Sequence, residues 1–292
     1  MDTSAFGRRL TAVVTPMHDD GSLDLAGLRK TVAHLLDNGH DGVVVSGTTG
    51  ESATTSDEEK LEILGAALEV AGDSARITAG VGTNDTAHSI HLARAAADAG
   101  AHGLLVVTPY YTKPTQPGLL AHFTAVADAT DLPVMLYDIP ARSGVPIATP
   151  TLVELAGHPR IQAVKDAKGD LWAATQVQAA TDLLWYSGDD VLTLAHLTQG
   201  GVGYVGVATH VLGSEYAALL AAVDDGRLSD AVAIHRSVVA VVEAIMNTSQ
   251  GAIMAKAALV ELGVIDSAAV RLPLVESPPE HLERLRAALS TR

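Results

Sequence analysis

Three observations predict an α/β chain folded as a (β/α)8 barrel (TIM barrel) with a C-terminal helical extension. Short apolar segments alternate with longer amphipathic ones eight times in roughly the first 225 residues, the repeat of such a barrel. No linker or shift in composition interrupts the alternation. The first apolar segment leads into Thr15-Pro16-Met17-His18, without the glycine fingerprint that a doubly wound open sheet usually supplies there.

The expected strands are Leu10–Thr15, Gly42–Ser46, Ile77–Val81, Gly103–Thr108, Val134–Tyr137, Ile161–Lys165, Leu183–Ser187 and Gly203–Val207. Most are continuous apolar runs, as in a parallel sheet covered on both faces. After the first, Leu25, Leu28, Val32, Leu35 and Leu36 share one helical face. Ser56 with Glu59 has the spacing of a capping box, and Pro150 suits the first turn of a later helix. Gly39, Gly72, Gly100, Gly157 and Gly200 each fall where a glycine would close a helix. Residues 1–226 are therefore read as the barrel and 227–292 as an extension of two or three helices. Gly226 and Gly263 punctuate the extension, and Pro278-Pro279 opens its last helix.

With 292 residues, 48% of them hydrophobic, the chain can bury a sizeable core. Its apolar runs break before the 18 or so residues of a membrane span, and Met1–Arg9 lacks the apolar core of a signal peptide. The absence of cysteine excludes disulfides, thiol nucleophiles and thiolate metal sites. A net charge of −15 argues against a nucleic-acid partner. A soluble, cytoplasmic protein is expected.

In such a barrel, chemistry sits at the C-terminal ends of the strands. Gly47-Thr48-Thr49-Gly50-Glu51 follows the second strand. It reads either as a nest of N–H and hydroxyl groups for a small carboxylate or as a turn whose threonines bond their own backbone. Tyr110 and Tyr111 follow the fourth strand and should face opposite ways. The fifth ends in Tyr137, which can exchange a proton, followed by Arg142 on a loop stiffened by Pro140. Lys165 ends the sixth strand: either it reaches to solvent and pairs with Asp166, or it is desolvated into a free amine able to attack a carbonyl. Asp189 and Asp190 read as a helix N-terminus. His88 and His91 come nearest to metal-ligand spacing, but on an outer helix, so no metal is expected.

Taken together, Gly47–Glu51, Tyr110-Tyr111, Tyr137–Gly144 and the sixth-strand lysine resemble the dihydrodipicolinate synthase/N-acetylneuraminate lyase family of pyruvate-dependent class I aldolases. The resemblance covers essentially the whole chain. Gly47-Thr48-Thr49-Gly50-Glu51, together with Arg142, is similar to the synthase branch. That implies condensation of pyruvate with L-aspartate 4-semialdehyde, in lysine and diaminopimelate biosynthesis, without a cofactor. It further implies that Lys165 forms the Schiff base and that Thr48 and Thr49 hold the pyruvate carboxylate. Tyr137 would shuttle protons through Thr49 to a neighbouring subunit's Tyr111, Arg142 would bind the aldehyde's carboxylate, and Gly188 and Val205 would line the pocket. A homotetramer built as a dimer of dimers is implied as well. Asp57, Lys60 and His88 depart from the pattern of lysine-inhibited members, so weak or absent feedback is expected. A sugar-acid aldolase of the same family and a non-catalytic keto-acid-binding barrel are the alternatives.

Overall fold

The structure, a computed structural model, describes residues 3–291; Met1, Asp2 and Arg292 lie outside the described residues. Eight parallel strands close into a barrel in sequence order, the last pairing back onto the first. The first half runs β1 (Arg9–Ala12), α1 (Leu25–Asp37), β2 (Gly42–Val45), α2 (Asp57–Ala71), β3 (Arg76–Gly80), α3 (Thr86–Asp98), β4 (Gly103–Val107) and α4 (Gln116–Ala127). Two helices follow β5 (Val134–Asp138): α5 (Pro140–Ser143), a single turn, and α6 (Thr149–Leu155). The barrel ends with β6 (Ile161–Asp166), α7 (Leu171–Ala180), β7 (Leu184–Ser187), α8 (Thr193–Thr198), β8 (Gly203–Gly206) and α9 (Thr209–Asp224).

Beyond α9 lie four helices rather than two or three: α10 (Leu228–Ser237), α11 (Val239–Met246), α12 (Gly251–Glu261) and α13 (Pro279–Leu289). Val238 alone separates α10 from α11, and an apolar run that continues across the joint hides the break. The capping box closes in both directions, Ser56 Oγ accepting from Glu59 N–H and Glu59 accepting from Ser56 N–H. Gly39, Gly72, Gly100 and Gly200 adopt positive φ as expected, whereas Gly157 does not. Its N–H closes a tight turn on Glu154 O, so no left-handed residue is needed there.

Side chains sort into three apolar layers. Phe6, Leu10, Val44, Met135, Ala163, Tyr186 and Val205 fill the barrel interior, while Val43, Val45, Ile77, Val134, Ile161 and Val164 pack outward against the helices. A third layer joins Tyr204 and α9 to α11, α12 and α13, so the extension shares its core with the eighth unit of the barrel. Among the described residues, no helix is long and apolar enough to cross a membrane.

The strand carrying Lys165 does not alternate evenly. Val134 pairs with Ile161, but Met135 pairs with Ala163, so the register slips by one residue at Gln162. Ile161 and Val164 consequently both face the helices although they are an odd number of residues apart. The slip turns Ala163, and with it Lys165, towards the barrel interior, the re-aiming that a bulge performs.

Beside β1 and β8, two buried histidines join strands to helices. His40 faces Leu35 O through Nδ1 (2.8 Å) and Thr11 Oγ1 through Nε2 (2.7 Å). His210 faces Val207 O through Nδ1 (2.7 Å), and its Nε2 accepts the Val14 N–H at 3.1 Å. Protonating His210 at Nε2 would set N–H against N–H. Burial depresses both rings to about 4 from an ordinary 6.5. A depressed histidine contributes stability above its unfolded pKa and loses it as pH falls towards the folded one. His210→Gln removes that titration, so the stability advantage of the native chain over this variant should shrink between pH 6.5 and 4. Chemical denaturation at several pH values measures the difference, and an advantage independent of pH would contradict the assignment.

Candidate active site

A cavity of about 360 Å³ opens at the C-terminal end of the barrel. Ser46, Gly47, Thr48, Gly80, Val107, Tyr110, Tyr137, Arg142 and Ser143 are among its lining residues. A larger, more open cleft of about 720 Å³ lies near the strand starts between α6–β6 and α7–β7, lined by His158, Gln162 and Asp182 among others. It has no lysine, arginine or tyrosine in its lining, and the chemical groups converge at the other end.

Tyr137 and Lys165 are in-register neighbours on β5 and β6, and both point inward. Lys165 Nζ lies 4.2 Å from the centroid of the Tyr137 ring. The lysine is 3% exposed, and its amine forms no hydrogen bond or ion pair among the described residues. Burial lowers its pKa to about 7, Asp190 opposing the shift and Arg142 adding to it. The other reading, a lysine paired with Asp166, does not hold. Asp166 points away from the barrel axis, where its Oδ1 accepts the Lys168 N–H, and the Lys168 ammonium lies 3.3 Å from Asp138. Gly188 packs so closely that an added Cβ would stand 2.8 Å from Lys165 Cγ, and its N–H donates to Asp166 O. Val205 is wholly buried in the barrel interior.

Tyr137 is also buried, which pushes its phenol up to about 12, with Arg142 working against the rise. At neutral pH it is a proton donor. Arg142 sits on the single turn α5 rather than a loop, with Pro140 at the first position and Gly144 closing the turn at φ +81°. Its guanidinium is exposed and has no ion pair among the described residues, so it offers the cavity an uncommitted cation.

Thr48 lines the cavity, whereas Thr49 is buried beside it and its hydroxyl does not reach Tyr137 among the described residues. The left-handed positions that shape this turn are Ser46 (φ +53°) and Glu51 (φ +56°), not its glycines. Gly50 serves close approach instead: a Cβ there would lie 3.1 Å from Val13 O. Tyr110 turns to the cavity and Tyr111 away from it, 87% exposed. Tyr111 has φ +70° at the apex of a γ-turn closed by Thr112 N–H on Tyr110 O.

Asp189 caps the turn after β7, accepting from Val191 N–H, as expected. Asp190 does something else. It is buried, accepts the Val207 N–H at 3.0 Å, and burial raises its pKa to about 6. Sequence reasoning missed this group because adjacent aspartates look alike until the chain turns. His88 and His91 flank Asp57 on the barrel's outside, the first at 2.9 Å and the second at 3.8 Å.

A free amine at neutral pH is directly testable. Cyanate is small enough to enter the cavity and carbamylates only unprotonated amines. Its reaction with Lys165, followed by peptide mass and expressed per unit of the isocyanic acid present at each pH, should reach half its maximal rate near pH 7. An ordinary lysine midpoint, about 10.4, would contradict the buried geometry.

The chain matches the model of the dihydrodipicolinate synthetase family over residues 5–292. It is 57% identical over 285 residues to a 4-hydroxy-tetrahydrodipicolinate synthase of Kineococcus radiotolerans, covering 98% of this chain and 92% of that one. A crystal structure of the enzyme from Cyanidioschyzon merolae with lysine bound superposes with a TM-score of 0.95 at 39% identity, covering 98% of both chains. The chloride-inhibited enzyme from Acinetobacter baumannii, complexed with pyruvate, gives 0.94 at 35% identity, again covering 98% of both. With the sixth-strand lysine buried at the mouth of a closed eight-stranded barrel, and with likeness of this extent, the chain belongs to the dihydrodipicolinate synthetase family.

Proposed function

We propose that this protein condenses pyruvate with L-aspartate 4-semialdehyde to give 4-hydroxy-tetrahydrodipicolinate. The observation that carries the reading is Lys165: a desolvated amine with a pKa of about 7, held over a protonated tyrosine beside an uncommitted arginine. The name shared by relatives at 49–57% identity supports the same substrates.

In this mechanism the Lys165 amine attacks the pyruvate ketone, and loss of water leaves an iminium. The iminium draws electrons from the adjacent methyl group, which releases a proton to become an enamine. The Thr48–Thr49 turn holds the pyruvate carboxylate. The enamine carbon attacks the aldehyde, whose oxygen takes a proton from Tyr137, and Arg142 holds the second carboxylate. The substrate's own amine then adds to the iminium carbon, which closes the ring and expels Lys165. No separate cofactor is required, because the lysine supplies the electron sink.

Tyr111 is turned outward by a strained γ-turn, a backbone state that persists where the surroundings use it. We assign it to the active site of a second copy, in a homotetramer built as a dimer of dimers, where its hydroxyl would draw Thr49 and Tyr137, not hydrogen-bonded to each other within one chain, into a proton relay. The dimer is then the smallest active unit.

A coupled reductase assay with pyruvate and aspartate semialdehyde should give turnover, and borohydride with pyruvate should leave a stable mass on Lys165. Absence of both would refute the reading. Arg142→Ala should raise the KM for the aldehyde about tenfold or more while leaving pyruvate trapping intact, since it removes a charge-assisted contact to one substrate only. Tyr111→Phe should lower turnover severely without unfolding the protein; near-native turnover would remove the relay. Feedback by lysine should be weak or absent. Asp57 is engaged by His88, and Lys60 donates to Thr55 O at 2.5 Å; the family resemblance implies that this cation would stand near a lysine ligand's ammonium. Strong inhibition at sub-millimolar lysine would overturn this point.

A further inference from the structure

The Gly47–Gly50 turn is built against the C-terminal helices. Glu51, which closes it, is 5% exposed and holds a left-handed φ of +56° without being a glycine. Its Oε1 lies 2.5 Å from the ammonium of Lys256, a residue of α12 with no exposed surface. Its Oε2 accepts the Arg271 N–H at 2.9 Å. Lys256 also donates to Ala269 O at 2.6 Å, so one ammonium ties the turn to the segment running from α12 to α13. The Arg271 side chain extends the clasp: it donates to Gly21 O, to Thr54 O and to both carboxylate oxygens of Glu59. Thr15 holds the other side, its hydroxyl donating to Gly50 O at 2.7 Å.

We propose that Glu51 and Lys256 are positioning residues for the reaction, holding the Gly47–Gly50 turn in the geometry that receives the keto acid's carboxylate. A left-handed residue persists only where its surroundings over-determine it. The surroundings of Glu51 are supplied by α12 and Arg271, more than 200 residues away in sequence. Charge adds to the geometry. The turn must present N–H and hydroxyl groups to an anion, and an uncompensated Glu51 carboxylate beside it would repel that anion. Lys256 neutralises the carboxylate within a single contact. The proposal rests on the condensation reading above and extends it to residues outside the cavity: neither Glu51 nor Lys256 lines it.

The test uses the full chain and borohydride trapping of pyruvate on Lys165, titrated against pyruvate concentration. Glu51→Gln combined with Lys256→Met removes both charges together, avoiding the unpaired buried charge that either change alone would leave. When folded, the double variant should need about tenfold more pyruvate for half-maximal trapping, the size of a coupling between linked sites, while the maximal trapped fraction stays native. In the coupled assay the KM for pyruvate should rise and kcat should stay near native. A change in thermal stability alone, with half-saturation at the native pyruvate concentration, would overturn the proposal. Glu51→Asp keeps the charges and shortens the reach by one carbon, so it decides the question if the double variant does not fold. The same rise is expected from it, and native half-saturation would again refute the role. If the native chain itself traps no pyruvate, the condensation reading fails before any variant is compared.

Discussion

The proposed chemistry depends on keeping one amine away from water. Among the described residues Lys165 has no carboxylate partner at hydrogen-bonding distance, and its amine stands 4.2 Å from the centroid of a tyrosine ring. An ammonium there forgoes hydration and gains in return a cation–π contact and the more distant field of Asp190. The balance leaves the amine half free near neutral pH. A carboxylate in direct contact would have restored the ammonium and removed the nucleophile. It therefore matters that Asp166 and Asp138 face the other side of the sheet, where Lys168 and backbone N–H groups engage them.

That sidedness comes from backbone register. Strand side chains alternate with a period of two, so one slipped residue moves every later side chain to the opposite face. The slip at Gln162 separates the outward Ile161 from the inward Ala163 and puts Lys165 inside and Asp166 outside. Gly188 completes the placement, since any larger residue would press on the lysine stem. The same economy appears at Tyr111, where a γ-turn sends one of two adjacent tyrosines out of the cavity and leaves the other in it.

Much of the fold could be read directly. Continuous apolar strands, a complete capping box and four of five closing glycines follow from local chemistry, because each depends on residues within a few positions of one another. That Lys165, Tyr137, Arg142 and Thr48 would gather at one end of the barrel could be read for a related reason: a barrel brings the ends of its strands to one face whatever the loops do. The break between α10 and α11 was illegible because a single right-handed residue joins two helices whose apolar pattern continues unbroken.

The sequence by itself determined that the chain is a barrel and which residue types come together at its strand ends. Tertiary structure alone decided which way each of them faces and how far each is from water. Lys256 illustrates the division. A lone charge within the apolar run Gly251–Val260 was visible in the sequence, but its partner, Glu51, lies 205 positions away. The electrostatic state of Lys165 is of the same kind. Desolvation is a property of everything that surrounds a group in space, and no local stretch of residues encodes it.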